Sequence, residues 1–357
     1  MDNQRVSKVR KALLERQLDG LLVASPINRQ YLTGFTGSAG YVLITADKAY
    51  LLTDFRYMTQ APQQAVDFEV IEEHRQDTLD IIKGLLEAGK VKRLGFENEL
   101  MSYSTYVKYS EALKPFELVP ASGLVEEIRM FKDEEELAVM KEAADVADRA
   151  FLHMIDVIKP GITELDGALE LEFFMRKNGA SATSFDTIFA SGERSALPHG
   201  AASSKVVGTG ELLTMDFGAL LKGYCSDITR TVMVGKPSEK QQEIYNIVLE
   251  AQLHTLEHLR PGMTGREADA LARDVITRHG YGDQFGHSTG HGLGMEVHEA
   301  PNLSKVSDTV LKPGMVVTVE PGIYIPGFGG VRIEDDVVIT ETGVRRLTES
   351  TKELIIL

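Results

Sequence analysis

Tryptophan is absent from this 357-residue chain, and cysteine occurs once, at Cys225. A single thiol excludes an intrachain disulfide and leaves a structural zinc knot or an iron–sulfur cluster without its thiolates. A reducing compartment fits. Long apolar runs are also missing: stretches such as 20–24 and 315–317 fall far short of the ~20 residues that a membrane span needs. The first 19 residues alternate charge with Val6, Val9, Leu13 and Leu14 and lack the continuous apolar core of a signal peptide. The expectation is a cytoplasmic protein with no membrane partner. Basic residues are in deficit, 38 Lys and Arg against 53 Asp and Glu, a net charge of −15. A surface that neutralises phosphates carries the opposite sign, so nucleic acid is not an expected partner. What is present is ordinary globular composition, 43% hydrophobic and 25% charged, in a length that suits two domains.

The first part of the chain alternates helical and strand-like patterns. Val6, Val9, Leu13 and Leu14 recur at helical spacing, and Gly20-Leu21-Leu22-Val23-Ala24 reads as a buried strand stopped by Ser25-Pro26. Short strands are expected at 41–44, 49–52, 68–71 and 93–96, and helices at 79–86 and 103–113. That alternation predicts an α/β domain over 1–122. Tyr31-Leu32-Thr33-Gly34-Phe35-Thr36-Gly37-Ser38 lacks the Gly-Lys-Ser/Thr ending of a phosphate loop and reads as a turn. Pro120-Ala121-Ser122-Gly123 marks the boundary, with a second domain over 123–357.

The second domain contains a duplication. Asp133 and Glu136 form a capping box ahead of a long amphipathic helix ending near Lys159-Pro160. Lys159-Pro160-Gly161-Ile162-Thr163 then recurs as Arg260-Pro261-Gly262-Met263-Thr264, an offset of 260 − 159 = 101. Both copies open a capped helix, Thr163 with Asp166 and Thr264 with Glu267, and both helices end at a glycine, Gly179 and Gly280. A long helix precedes each. Two such units are too few for a solenoid and predict two similar halves facing a cleft.

Four acids sit in apolar, strand-like surroundings. Asp216 lies in Leu212-Leu213-Thr214-Met215-Asp216-Phe217-Gly218, and Asp227 opens Asp227-Ile228-Thr229-Arg230-Thr231-Val232, with 218–223 free to turn between them as a hairpin. Glu320 ends Met315-Val316-Val317-Thr318-Val319-Glu320, and Glu334 lies in a strand-like run, 331–339, that places Arg332 on its face. A lone acid in such a strand is ordinarily a surface or bulge residue. Four that converge repel one another by about 4 kcal/mol per pair ~4 Å apart, so protons or cations must offset them. Hard oxygen donors with an imidazole suit Mn²⁺, Co²⁺, Fe²⁺ or Zn²⁺. Imidazoles are at hand in the glycine-rich 285–301 segment, which holds His287, His291 and His298 but no helical His-Glu-x-x-His pair.

These motifs, Met215-Asp216-Phe217-Gly218, Ser226-Asp227-Ile228-Thr229-Arg230, Gly286-His287-Ser288-Thr289-Gly290-His291-Gly292, Val319-Glu320-Pro321-Gly322 and Arg332-Ile333-Glu334-Asp335, together resemble the pita-bread metallopeptidases. That family includes methionine aminopeptidase, aminopeptidase P and prolidase, and shares its fold with creatinase. The resemblance covers about 130–357, and the earlier residues are similar to the creatinase-type N-terminal domain. It implies an α/β N-terminal domain followed by an α+β pita-bread domain built from two pseudo-symmetric halves. It also implies two divalent metal ions, manganese first and cobalt or zinc next. Asp227 and Glu334 would bridge them, Asp216 would complete one, and His291 with Glu320 the other. Two such ions share and activate a water. Glu320 would move a proton, His199 and His298 would hydrogen-bond the substrate and the developing oxyanion, and His287 and Arg332 would line the substrate site, with Arg332 pairing with a carboxylate. The implied activity is hydrolysis of the bond before proline in small peptides, by a cytoplasmic homodimer. Compact size and the short 320–334 interval favour an Xaa-Pro dipeptidase over an aminopeptidase P acting on longer peptides. Further alternatives are a methionine aminopeptidase-like enzyme and a non-catalytic binding module that has shed its ligands, although all five ligand positions are filled here.

Gly286-His287-Ser288-Thr289-Gly290 also fits Gly-x-Ser-x-Gly, but a serine-hydrolase elbow needs a strand before it and a helix after it, and the flanking glycines supply neither. Cys225 reads as a packing residue. His74, His153, His254, His258 and His279 read as surface or structural.

Overall fold

The structure, a computed structural model, describes residues 3–74 and 76–357. The chain forms two compact units, Met1–Arg129 and Met130–Leu357.

In the first unit α1 (Gln4–Glu15) precedes β1 (Gly20–Val23), α2 (Pro26–Thr33), β2 (Tyr41–Thr45) and β3 (Ala49–Thr53). A short α3 (Ala61–Gln64) leads to β4 (Glu69–Glu72), α4 (Thr78–Ala88), β5 (Arg93–Phe96), α5 (Tyr103–Ala112), β6 (Glu117–Pro120) and α6 (Leu124–Arg129). The strands make one mixed sheet in the order β4-β3-β2-β1-β5-β6. Leu22, Leu43, Leu52, Ile82, Leu86 and Leu94 pack as its core.

Two expectations need correction here. Tyr31, Leu32 and Thr33 are helical rather than part of a turn: Ser25 caps α2 by accepting from the Asn28 N–H, Pro26 opens the helix, and Gly34 ends it at φ +74°. The boundary also falls later than 122/123. Residues of α6 belong to the first unit because Asn28, fully buried, donates to Glu126 at 2.6 Å and accepts from Arg129 at 2.8 Å.

In the second unit α7 (Glu134–Val157) and α8 (Glu164–Lys177) precede β7 (Ala182–Thr183), β8 (Ile188–Ser191), β9 (Glu211–Phe217), β10 (Ala219–Leu221), β11 (Tyr224–Cys225) and β12 (Ile228–Val234). The second half repeats the helix pair as α9 (Glu239–His258) and α10 (Gly265–Arg278), followed by β13 (Gly290–Gly292), β14 (Glu299–Leu303), β15 (Val316–Val319), β16 (Gly322–Ile325), β17 (Gly329–Arg332), β18 (Asp335–Ile339) and β19 (Val344–Arg346).

All four helices begin with capping boxes, in which side chain and backbone satisfy each other's free N–H groups. The duplication shows in the hydrogen bonds. Gly161 N–H donates to Val207 O as Gly262 N–H donates to Leu311 O, and Leu165 N–H to Ser203 O as Arg266 N–H to Ser307 O. The sheets β8-β9-β12 and β14-β13-β15-β18-β19 form the centre of the two halves, beside the small sheets β7-β10-β11 and β16-β17. These are the two similar halves that the duplication implies.

Candidate metal centre

Each acid stands at or beside the end of a strand. Asp216 is the next-to-last residue of β9, and Thr229 of the antiparallel β12 lies opposite it. Asp227 immediately precedes Ile228, where β12 begins. The link between them is not the simple 218–223 turn expected: β10 and β11 form a separate hairpin. Gly218 permits the switch, because a Cβ there would lie 1.8 Å from the Ser226 carbonyl oxygen. Glu320 follows β15, whose partner β18 begins just after Glu334. The expected single strand over 331–339 is broken at 333–334, since β17 pairs with β16 and β18 with β15. His291 lies in β13, immediately before a register shift between His291 and Gly292.

These separate ends meet in one cavity of about 490 Å³. Asp216, Asp227, His291, Glu320, Glu334, His199, His287, His298 and Arg332 all line it. Carboxylate oxygens of Asp227 and Glu334 and a ring nitrogen of His291 lie within 4.8 Å of one another. His291 Nε2 is 3.8 Å from Asp227 Oδ2 and 3.4 Å from Glu320 Oε1. Its Nδ1 faces the Gly292 carbonyl at 3.1 Å, an arrangement that puts the proton on Nδ1 and leaves Nε2 as a lone pair towards the acids.

Hydrogen bonds brace the acids. Thr229 Oγ1 donates to Glu334 at 2.6 Å, Thr318 Oγ1 to Glu320 at 3.1 Å, and the Asp227 N–H to Asp336 at 2.9 Å. The braces do not neutralise the charge. Burial, then the neighbouring carboxylates, raises Asp227 and Glu334 well above the usual range. Burial also pushes Glu320 up to about 8 against the opposing pull of Arg332. His291 and His298 are lowered by burial, and His287 is lowered to about 4 by burial and then by Arg332, so the imidazoles are neutral.

Two carboxylate oxygens in the cavity, Asp216 Oδ1 and Asp227 Oδ1, are buried without a hydrogen-bond partner among the described residues. Such a group is costly to leave unsatisfied. Crowded carboxylates, unused oxygens and an imidazole lone pair form a donor set that fits hard divalent cations.

The Arg332 side chain is 3% exposed, and it donates from Nε to Thr229 Oγ1 at 3.0 Å, from Nη1 to Tyr324 OH at 2.8 Å and from Nη2 to Asp216 at 2.5 Å. Arg332 lines the cavity, as the substrate-site expectation requires, and it is also the partner of Asp216. Tyr324, pushed up to about 12 by burial, also holds His287 Nε2 at 2.8 Å. Sequence reasoning missed Tyr324, Asp336, Phe185, Asp186 and Asn302.

The segment Gly286-His287-Ser288-Thr289-Gly290 runs into strand β13, not into a helix, so it builds no nucleophile elbow. His74, His153, His254, His258 and His279 do not line the cavity. Cys225 is buried, with its thiol pushed up to about 12 by burial. No helix among the described residues is long and apolar enough to cross a membrane.

Residues 138–341 match metallopeptidase family M24, and residues 5–131 match the creatinase/prolidase N-terminal domain. A solved structure described as an Xaa-Pro dipeptidase from Bacillus anthracis is 54% identical, covers 99% of both chains and superposes with a TM-score of 0.97. One described as an X-Pro aminopeptidase from Thermotoga maritima is 42% identical, covers 97% of this chain and 100% of its own, and gives a TM-score of 0.92. The Xaa-Pro dipeptidase of Pyrococcus furiosus is 42% identical over 99% of both chains. Family match, full-length likeness and the buried acid–histidine cluster agree: this chain belongs to metallopeptidase family M24, with a creatinase/prolidase-type domain ahead of its metallopeptidase domain.

Proposed function

We propose that the protein is a metal-dependent Xaa-Pro peptidase that hydrolyses the peptide bond before proline, acting as an Xaa-Pro dipeptidase. The observation that carries this reading is the convergence of Asp216, Asp227, His291, Glu320 and Glu334 in one cavity, where Asp216 Oδ1 and Asp227 Oδ1 are buried without a hydrogen-bond partner among the described residues. The proposed cofactors are two divalent ions, manganese first and cobalt or zinc after it. Asp227 and Glu334 would hold both, Asp216 one, and His291 with Glu320 the other. When bound, the ions supply Lewis acidity towards the scissile carbonyl and lower the pKa of water.

The chain's own groups do the rest. Glu320 lines the cavity with Oε1 3.4 Å from His291 Nε2, and there it accepts a proton from the attacking water and passes it to the departing proline nitrogen. His199 and His298 donate to the substrate and to the carbonyl oxygen as charge develops there; one such donor is worth about 3 kcal/mol. Arg332 fixes Asp216, and Tyr324 fixes both Arg332 and His287. Substrates are small peptides with proline second. The proposed setting is the cytoplasm, and the proposed assembly a homodimer.

The test is hydrolysis after chelation. EDTA should abolish cleavage of Ala-Pro and Mn²⁺ should restore it; indifference to the chelator would contradict the reading. Ala-Pro should be cleaved faster than Ala-Pro-Ala or a longer Xaa-Pro peptide. Equal rates on the longest would favour the aminopeptidase P alternative, to which the likeness to the Thermotoga structure also points.

A further inference from the structure

Glu164 and Asp269 are carboxylates buried to 0% and 1% exposure, and neither lines the cavity. Each belongs to the capped helix of one half, Glu164 to the first turn of α8 and Asp269 to the second turn of α10. The duplication does not place them at equivalent positions. The counterpart of Glu164, at the offset of 101, is Gly265, where a Cβ would lie 2.1 Å from the Asn302 carbonyl oxygen. A carboxylate in the second half has to enter elsewhere on the helix, and it does so one turn later.

What the two acids hold is similar. Glu164 Oε1 accepts from the N–H and Oγ of Ser191, at 2.8 and 3.0 Å. Its Oε2 accepts from Arg194 Nε at 2.9 Å and from the N–H and Oγ of Ser203, at 3.2 and 2.6 Å. Ser191 and Ser203 bracket the loop that carries His199, and Arg194 reaches on to the Ala201 carbonyl at 2.5 Å. In the other half Asp269 Oδ1 accepts from the N–H and Oγ of Thr289, at 3.0 and 2.9 Å. Asp269 also binds Arg273 through Nε at 2.6 Å, and Arg273 donates to the carbonyls of Phe285 and His287 at 2.9 and 2.7 Å. Thr289 O in turn accepts from the N–H of Glu320 at 2.8 Å. One buried acid in each half therefore gathers the two ends of a loop whose middle carries a cavity histidine.

We propose that Glu164 and Asp269 are positioning residues that hold His199 and His287, from opposite halves, at the reacting bond. This rests on the peptidase reading above. A charged acceptor with five donors fixes a loop far more tightly than turn contacts alone, because each charge-assisted bond is shorter and stronger than a neutral one. An amide in place of either carboxylate points an NH₂ group at donors, whichever way it is turned.

The test is a pair of double-mutant cycles on the manganese-loaded protein, Glu164→Gln with His199→Ala and Asp269→Asn with His287→Ala. Glu164→Gln alone should lower kcat on Ala-Pro by about 30-fold, which is ~2 kcal/mol at 1.4 kcal/mol per decade. Mn²⁺ affinity by calorimetry should stay unchanged. In the His199→Ala background the same substitution should cost about twofold or less, since the group it positions is gone. Asp269→Asn should behave alike against His287→Ala. If Glu164→Gln does not fold, Ser203→Ala, which removes one donor to the carboxylate, takes its place in the cycle. Additive losses in both cycles, with wild-type Ala-Pro cleavage intact, would overturn the positioning role alone. A wild-type protein that cleaves no Xaa-Pro peptide with Mn²⁺ would overturn the functional reading and this role with it.

Discussion

Glu334 and Asp335 are consecutive residues, equally buried, in opposite electrostatic surroundings. Asp335 points to a side where its carboxylate meets Arg230 at 2.7 Å, Lys352 at 2.7 Å, Gln252 at 2.9 Å and Thr348 at 3.0 Å. Burial alone would raise it, but Arg230 and Lys352 hold it below the usual carboxylate range. Glu334 points into the cavity, where burial and then Glu320 and Asp216 raise it well above that range, and where Thr229 Oγ1 donates to it. Asp335 belongs to an ion cluster closed by basic side chains, and Glu334 to a cluster of acids. The difference shows that this fold can supply cations from its own side chains to buried acids, and that for most of the cavity acids it does not.

The comparison breaks most visibly through the cavity side. Asp227→Asn or Glu334→Gln should reduce Ala-Pro hydrolysis by about three orders of magnitude or more, in the range of losing a principal catalytic group. Circular dichroism should remain native, because neutralising an acid with a raised pKa removes strain rather than support. Normal rates would remove both from the proposed bridging role. On the opposite side Asp335→Asn should act on stability first. Leaving the buried Arg230 and the half-buried Lys352 without this anion should cost about 3–5 kcal/mol in denaturant unfolding. An unchanged midpoint would show that the ion cluster carries no structural load.

The two sides should also respond oppositely to pH. Asp227, Glu320 and Glu334 have folded values above their unfolded ones, near 4. The metal-free folded state then binds more protons than the unfolded state between about pH 4 and 8, so its stability falls as pH rises through that window. Asp335 has a depressed value, and its contribution is present above about pH 4 and lost on acidification. Thermal unfolding of chelated protein should show Tm decreasing from pH 5 to 8, with Mn²⁺ raising it most at the upper end. A flat profile with no metal effect would contradict this reading of the acid cluster. The smallest effect belongs to a brace: Thr318→Val, which removes one hydroxyl from Glu320, should lower kcat by roughly fivefold, near the ~1 kcal/mol of a single neutral hydrogen bond.

The sequence disclosed what is local or repeated. Capping boxes at Asp133, Thr163 and Thr264 follow from side chains three residues apart, and the 101-residue repeat needs no coordinates. Acids in apolar strands flagged Asp216, Asp227, Glu320 and Glu334 because such positions reject charge without a reason. Legibility stopped where a partner is remote. Arg332 and Asp216 are 116 positions apart, Asp227 and Asp336 109, and nothing local says that the guanidinium turns to Asp216. Breaks in strands fared no better. The interruption at 333–334 arises from pairing with two different neighbours, β16 and β15, and an apolar run of Val and Ile reads the same whether one strand or two result.

Calorimetric titration of the chelated protein with Mn²⁺ tests the central claim most directly. Two ions per chain should bind to the wild-type protein and the stoichiometry should collapse in Asp227→Asn, while Asp335→Asn, where it folds, keeps both. Absence of any binding heat by the wild-type chain, or equal binding by Asp227→Asn, would contradict the account.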